Sequence, residues 1–308
     1  MGILGELLSI FISNIAPILV IAGVGFIIGR HLHVDARSFG RVIFYAFSPA
    51  LVFSSLASST VDRAELMQVS VVMALVLVSL LLLAYFSTAG YRDNRVGRAG
   101  VMLSAMCPNT GNLGLPLVSF VFGEVALTYA VITYVIATIS NFSLGIFVAS
   151  SGRSSIIRAL LNMLRVPTIY AALSGLAVNM TGFALPLPIM RSVSLLGQAA
   201  IPAMLILLGL ELAQSAKFAQ FRLIGLGAGI RLVAAPVIAA FLVVLFGVRW
   251  EVGMVIVLQA SMPVAVVTLI IANEFQLNMQ QQLGTVLVTT LLSPITLSVL
   301  ILLLQRAA

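Results

Sequence analysis

The densest chemistry in the chain lies between Cys107 and Pro116. There the run Cys107-Pro108-Asn109-Thr110-Gly111-Asn112-Leu113-Gly114-Leu115-Pro116 sets two asparagines and a threonine among two prolines and two glycines. Proline removes a backbone donor and glycine loosens a helix. Pro108, Gly111, Gly114 and Pro116 therefore read as hinge positions, and Asn109, Thr110 and Asn112 as binding side chains. A second run, Gln259-Ala260-Ser261-Met262-Pro263-Val264-Ala265-Val266-Val267-Thr268, places Gln259, Ser261 and Thr268 around a hinge at Pro263. All six polar side chains are neutral hydrogen-bond donors. A helix that restarts after an interruption also presents free N–H groups with partial positive charge. Two such starts brought to one point would hold a small anion without a buried cation.

Other chemistries find little footing. Cys107 is the single cysteine, so it forms no intramolecular disulfide, and no Cys/His cluster has metal-ligand spacing. No Ser-x-x-Lys, His-Glu-x-x-His, paired-Asp or P-loop pattern occurs. The expectation is that the protein is not an enzyme, uses no cofactor and takes no energy from ATP. An ion gradient or the membrane potential is left as the source, with sodium and protons both open as coupling ions.

The elements that carry these segments follow from composition. Of 308 residues, 61% are hydrophobic and 8% charged, where a soluble domain has about a quarter charged. Apolar runs of spanning length occur at about 7–29, 40–59, 67–90, 99–121, 125–150, 166–181, 189–212, 223–246, 251–273 and 282–304. The chain thus reads as an all-α integral membrane protein of ten transmembrane helices. The amino terminus has Glu6 and no Lys or Arg before its apolar run, so it reads as a first span rather than a cleaved signal. The sixth run is short, and the fourth and ninth contain the proline-rich segments. A Pro-kinked fourth helix whose amides bond neighbouring helices is the plainer alternative, as is interruption of the fourth helix alone.

Basic residues cluster in alternate loops. Arg30, Arg37, Arg41, Arg92, Arg95, Arg98, Arg153, Arg158, Arg165, Lys217 and Arg222 fall on one side, and Arg63, Arg191, Arg249 and Arg306 on the other. Positive loops stay cytoplasmic, which puts both termini on the outer face of the inner membrane. A net charge of +7 spread over such loops is an orientation signal and no nucleic-acid surface. Five spans per half make the halves, 1–150 and 151–308, two repeats of opposite orientation. Pro17 and Pro167, Pro49 and Pro202, and Pro108 and Pro263 pair at offsets of 150, 153 and 155 residues, a drift that small loop insertions would produce. Inverted repeats with interrupted helices at matching positions point to a secondary transporter with its site near mid-membrane.

Pro108-Asn109-Thr110, Gly114-Leu115-Pro116-Leu117 and Phe122-Gly123 resemble the fourth-helix motif of the auxin efflux carrier family. Ala260-Ser261-Met262-Pro263, Ala272-Asn273-Glu274-Phe275 and Arg231-Leu232 with Pro236 are similar to its ninth and eighth helices. The family includes the plant PIN-formed auxin exporters and bacterial carriers of small carboxylates, malonate-type carriers among them. The resemblance covers essentially the whole chain and matches the bacterial members in lacking a long central loop. It implies a ten-helix fold like that of bile acid sodium symporters: helices 1, 2, 6 and 7 form a scaffold, and helices 3–5 and 8–10 a bundle that moves as an elevator. Helices 4 and 9 cross at their breaks. It also implies that Asn109 lies at the substrate site. Val264 and Ala265 replace more polar residues, which points to an acid smaller than auxin. The expected partners are a small organic anion and the lipid bilayer, with a homodimer as a candidate assembly. A ligand-binding membrane sensor is the alternative function.

Arg231 is the one basic residue inside a span. It either faces the transport cavity or serves structure, by pairing with Glu211 or snorkelling to the interface, and structure is favoured. Asn14, Asn141 and Asn273 line a path or, more simply, bond neighbouring helices. His31 and His33 read as solvated loop residues. Gly225 and Gly229 form a GxxxG pair suited to close helix packing. The charge pattern is checked by cysteine labelling: residues 92–98 and 153–165 should be accessible from the cytoplasm, and residues 60–65 and the carboxyl terminus from outside.

Overall fold

The computed structural model describes residues 2–32, 34–150, 164–213 and 219–307. His33, Arg153, Arg158 and Lys217 lie outside the described residues, as does the boundary at 150/151 on its carboxyl side. The described chain is helical, and its one β feature is an isolated antiparallel bridge between Pro108 and Val264. The helices are α1 (Ile3–His31), α2 (Ala36–Ala57), α3 (Arg63–Ser87), α4 (Arg95–Met106), α5 (Thr110–Ala149), α6 (Pro167–Thr181), α7 (Leu187–Leu212), α8 (Phe221–Leu245), α9 (Trp250–Ala260), α10 (Val267–Glu274) and α11 (Met279–Ala307).

Among the described residues, α1, α2, α3, α5, α7, α8 and α11 are long and apolar enough to cross a membrane. The 15 residues of α6 and the 11 of α9 are too few, because a helix rises about 1.5 Å per residue against about 30 Å of hydrocarbon. The 40 residues of α5 do not form one rod. They turn at Gly123, whose φ of 78° lies in the region that favours glycine. Residues 110–122 are therefore a separate half-helix. Outward faces carry exposed Val237, Phe241 and Val244, side chains that suit contact with lipid.

Prolines shape the helices in a repeated way. Beside one at Asn141–Gly145 that no proline follows, one-turn π-helical stretches occur ahead of prolines at Phe11–Ile15, Ile43–Phe47, Thr110–Gly114 and Ile230–Ala234. Each ends two residues before a proline, namely Pro17, Pro49, Pro116 and Pro236. A proline ring collides with the carbonyl four residues back. Here those carbonyls belong to Ser13, Tyr45, Asn112 and Leu232, all inside the widened turns, so one extra residue per turn relieves the clash. At its amino end α2 is capped by Asp35, which accepts from the Ser38 hydroxyl and the Ser38 and Arg37 amides. These bonds hold its carboxyl below the usual carboxylate range.

Close glycine contacts knit α1, α2, α6 and α7 into one unit. A Cβ at Gly209 would stand 1.9 Å from the Ala22 carbonyl oxygen, and one at Gly25 would stand 2.1 Å from that of Ile206. Gly175 lies close on the Phe53 backbone, and Gly197 on that of Leu51. A second unit joins α3, α4, α5 and α8–α11 around fully buried Val69, Val72, Met73, Leu80, Val255 and Ile256. The Gly225/Gly229 pair does not pack closely, since no atom lies within 4 Å of where a Cβ on either would stand, and the expectation for it is corrected. Gly227, two residues round the helix, is the one that faces α11, its Cβ position 3.1 Å from Thr285. Two ion pairs tie distant segments on one face: Arg249 to Glu65 and Arg306 to Glu6, each at 2.6 Å.

Because backbone, which cannot swing aside, faces Gly209, its replacement by Ala should cost about 1–3 kcal/mol. Thermal unfolding in detergent should show this as a lowered midpoint, whereas Gly225→Ala should leave the midpoint unchanged.

Candidate functional site

Both α4 and α9 stop inside the protein, and both chains unwind before restarting as α5 and α10. The unwound segments run antiparallel and satisfy each other. The Asn109 N–H donates to the Pro263 carbonyl at 2.8 Å, and the Ala265 N–H to the Cys107 carbonyl at 2.9 Å. Pro108 and Pro263 have no N–H to satisfy. The Val264 N–H donates to Thr289 Oγ1 on α11 at 3.1 Å. Interruption of the fourth helix alone, the narrower sequence reading, is thereby excluded.

Arg231 is fully buried in the π-turn of α8. Its guanidinium donates to the Ala105 carbonyl at the end of α4 and to the Ala260 carbonyl at the end of α9. It thus neither pairs with Glu211 nor snorkels. One cation binds the negative ends of both interrupted helices, and the amino ends of α5 and α10 keep their partial positive charge. The position was legible as an intramembrane charge, but its carbonyl partners lie 126 and 29 residues away in sequence.

The six predicted binding residues divide into groups. Asn109, Thr110, Gln259, Ser261 and Thr268 are buried, and Asn112 is half-buried. The Ser261 hydroxyl donates to Val257 O at 2.6 Å and that of Thr268 to Ala265 O at 2.7 Å. Their protons are thus committed to their own turns. By contrast, Asn109 Nδ2 and both polar atoms of the Gln259 amide have no partner among the described residues. Gln259 lies directly on Gly114, where a Cβ would come within 2.1 Å of Oε1, so its amide reaches the first turn of α5. Asn112 turns the other way, to Glu211 on α7.

Several supporting residues escaped sequence reading. The Tyr134 ring lies 2.9 Å from the Cβ position of Gly111, and its hydroxyl is directed toward Ser48 of α2. Gln281 donates to Gly97 O at 2.9 Å and Gln282 to Ser104 Oγ at 2.8 Å, fastening α11 to α4. The polar stripe Gln281, Thr285, Thr289 and Ser293, at four-residue spacing, was the signal for them. Asn14 bonds its own helix through Ile10 O rather than a neighbour, and buried Asn141 Oδ1 has no partner among the described residues. A larger cavity, about 720 Å³, lies among α2, α6 and α7, lined by Pro49, Phe53, Pro167, Tyr170 and Val193. It presents no charged lining residue and none of the crossover residues.

Helices broken and paired inside an apolar bundle, with donors left free at the break, define a membrane protein built around a central polar site. The family model described as "Membrane transport protein" matches residues 10–156 and 151–301. The chain therefore belongs to this family of membrane transport proteins, that of the auxin efflux carriers. It is 27% identical to an uncharacterized transporter of Methanocaldococcus jannaschii over 90% of this chain and 93% of that one. It is likewise 27% identical to a Rhizobium meliloti protein provisionally named a malonate transporter, over 86% of each chain. An uncharacterized transporter of Escherichia coli is 24% identical over 91% of this chain and 92% of its own.

Arg231→Met should lower stability by about 3 kcal/mol, since each hydrogen bond from a charged group is worth about 1.5–3 kcal/mol. Unfolding in detergent checks this. Arg231→Lys should recover part of the loss, because an ammonium keeps the charge but not the fork that spans two carbonyls.

Proposed function

We propose that the chain is a secondary carrier of small organic anions, carboxylates first, across the inner membrane. The observation that carries the reading is the charge arrangement at the crossover: Arg231 occupies the carboxyl ends of α4 and α9, while Asn109 Nδ2 and the Gln259 amide stand without partners among the described residues, beside the amino end of α5. Neutral donors of this kind hold an anion loosely enough to release it. The Rhizobium meliloti relative's name points to a dicarboxylate as the first acid to test.

In this reading ten spans form two inverted five-helix halves, 1–150 and 151–308. The fourth span is α4 with residues 110–122, the fifth is the remainder of α5, and the ninth is α9 with α10. The equivalence of α1 with α6 and of α2 with α7 is supported by packing, since α1 lies on α7 as α6 lies on α2. These four helices are the scaffold, and the second packed unit is the bundle that moves in an elevator-type cycle. Ion pairs Glu65–Arg249 and Glu6–Arg306 support a shared face for the loops around Arg63 and Arg249 and for both termini, and the charge split assigns that face to the outside. Asn109, Thr110, Asn112, Gln259, Ser261 and Thr268 form the substrate site, with Pro108, Gly111, Gly114, Pro116 and Pro263 as its hinges.

Uptake of radiolabelled malonate and of other mono- and dicarboxylates into proteoliposomes tests the proposal. Asn109→Ala should reduce transport about 10- to 100-fold, the equivalent of one hydrogen bond to a charged ligand, without loss of folded protein. Pro263→Ala should also impair it by letting the ninth span close its hydrogen-bond ladder. Full activity in both variants refutes the site, and uptake of sugars or cations in place of acids refutes the substrate class.

A further inference from the structure

Resting on that carrier reading, we propose that Glu211 is a proton-binding site whose protonation is coupled to anion binding through Asn112, so that the carrier moves a proton with its substrate. Glu211 stands one residue from the carboxyl end of α7, in the α1/α2/α6/α7 unit. Its side chain faces the polar side chain of Asn112, which lies in the first turn of α5 in the other unit. The contact therefore crosses the boundary between the two bodies that would slide in the cycle. Glu211 Oε2 is buried and has no partner among the described residues. Around it lies a pocket of about 10 Å³, walled by Leu208, Leu212, Val266, Leu269, Leu283 and Thr290, which has room for about one water molecule.

Among the described residues no counter-charge pairs with Glu211. Among the described residues, Arg30 and His31 at the end of α1, and Arg37 and Arg41 at the start of α2, are the basic groups on the helices packed against this end of α7, and exposed Glu274 ends α10. All four basic groups are exposed, and no ion pair joins any of them to Glu211 among the described residues. The polar groups facing it from α5 and α11 are Asn112 and Thr290. A carboxylate so placed does two things. It occupies the Asn112 amide as an acceptor, as a substrate carboxylate would, and it repels an arriving anion. Taking up one proton turns the carboxylate into a carboxyl group, removes the negative charge and frees the Asn112 N–H to donate to the substrate. Loss of that proton after the substrate leaves restores the contact. Proton and anion thus assist each other's binding, and the assistance is reciprocal.

Two measurements test this. Wild-type protein in proteoliposomes should exchange labelled malonate for unlabelled malonate, and net uptake should rise roughly tenfold or more when the outside is made acidic. Glu211→Gln, which is neutral at every pH, should keep the exchange and lose the response to the gradient. In detergent and weak buffer, at a pH high enough for Glu211 to be ionised in the unliganded protein, a pH-indicator dye should record about one proton taken up per malonate bound by the wild type and none by Glu211→Gln. Unchanged gradient stimulation in the variant, or malonate binding by the wild type without proton uptake, overturns the inference while the carrier reading stands. Wild-type protein that neither binds nor exchanges malonate or any other mono- or dicarboxylate overturns both.

Discussion

Two unwound segments can lie at membrane depth only because each supplies what the other lacks. A backbone N–H or carbonyl left unpaired in hydrocarbon costs several kcal/mol. The pair Asn109 N–H to Pro263 O and Ala265 N–H to Cys107 O satisfies four such groups at once. Prolines at 108 and 263 remove the two donors that this short bridge would leave over. Neither break is tenable alone, so the two halves of the chain are coupled at their least helical points. The supporting shell follows from the same need, since Thr289 takes the Val264 N–H and Gln281 and Gln282 fasten α11 to α4.

Electrostatics then gives the crossover a direction. Four helix ends meet there, and a buried guanidinium is costly unless its hydrogens are bonded. Arg231 gives hydrogens of both terminal nitrogens to the carbonyls of Ala105 and Ala260, while its Nε has no partner among the described residues, so the intramembrane cation is occupied by the protein's own negative ends. What remains at the crossover is the positive side of the arrangement together with the amides of Asn109 and Gln259. In the proposed function an anion bound there would meet partial charges rather than a full one, which would let a carrier release it. Glu211 extends the logic, as an internal carboxylate on the same side-chain donor that a substrate would use.

The two packed units differ in how they are held. Gly25, Gly209, Gly175 and Gly197 let α1, α2, α6 and α7 meet backbone to backbone, which suits a rigid support. Contacts across the boundary are largely apolar, with Leu208 and Leu212 of α7 against Val266, Leu269 and Leu283, and include a polar one where Asn112 meets Glu211. If the two units slide as proposed, side-chain contacts of this kind could exchange partners, whereas interlocked glycine faces could not.

Membrane residence, the positions of the apolar runs and the sites of interruption were all legible in the sequence, because burial in lipid and the loss of a proline N–H act on residues where they stand. The binding candidates were legible as types for the same reason: polar side chains amid apolar runs need an explanation. Tertiary structure decided which of them remain free. Ser261 and Thr268 look like donors in the sequence, yet their hydroxyls close on their own turns, while Asn109 and Gln259 keep unpartnered atoms among the described residues. It also decided where Arg231 points and which glycine of α8 packs, since two residues along a helix turn the side chain by about 200°. The partners that settle these questions come from helices far away in the chain, and no local pattern encodes which faces the folded bundle will bring together.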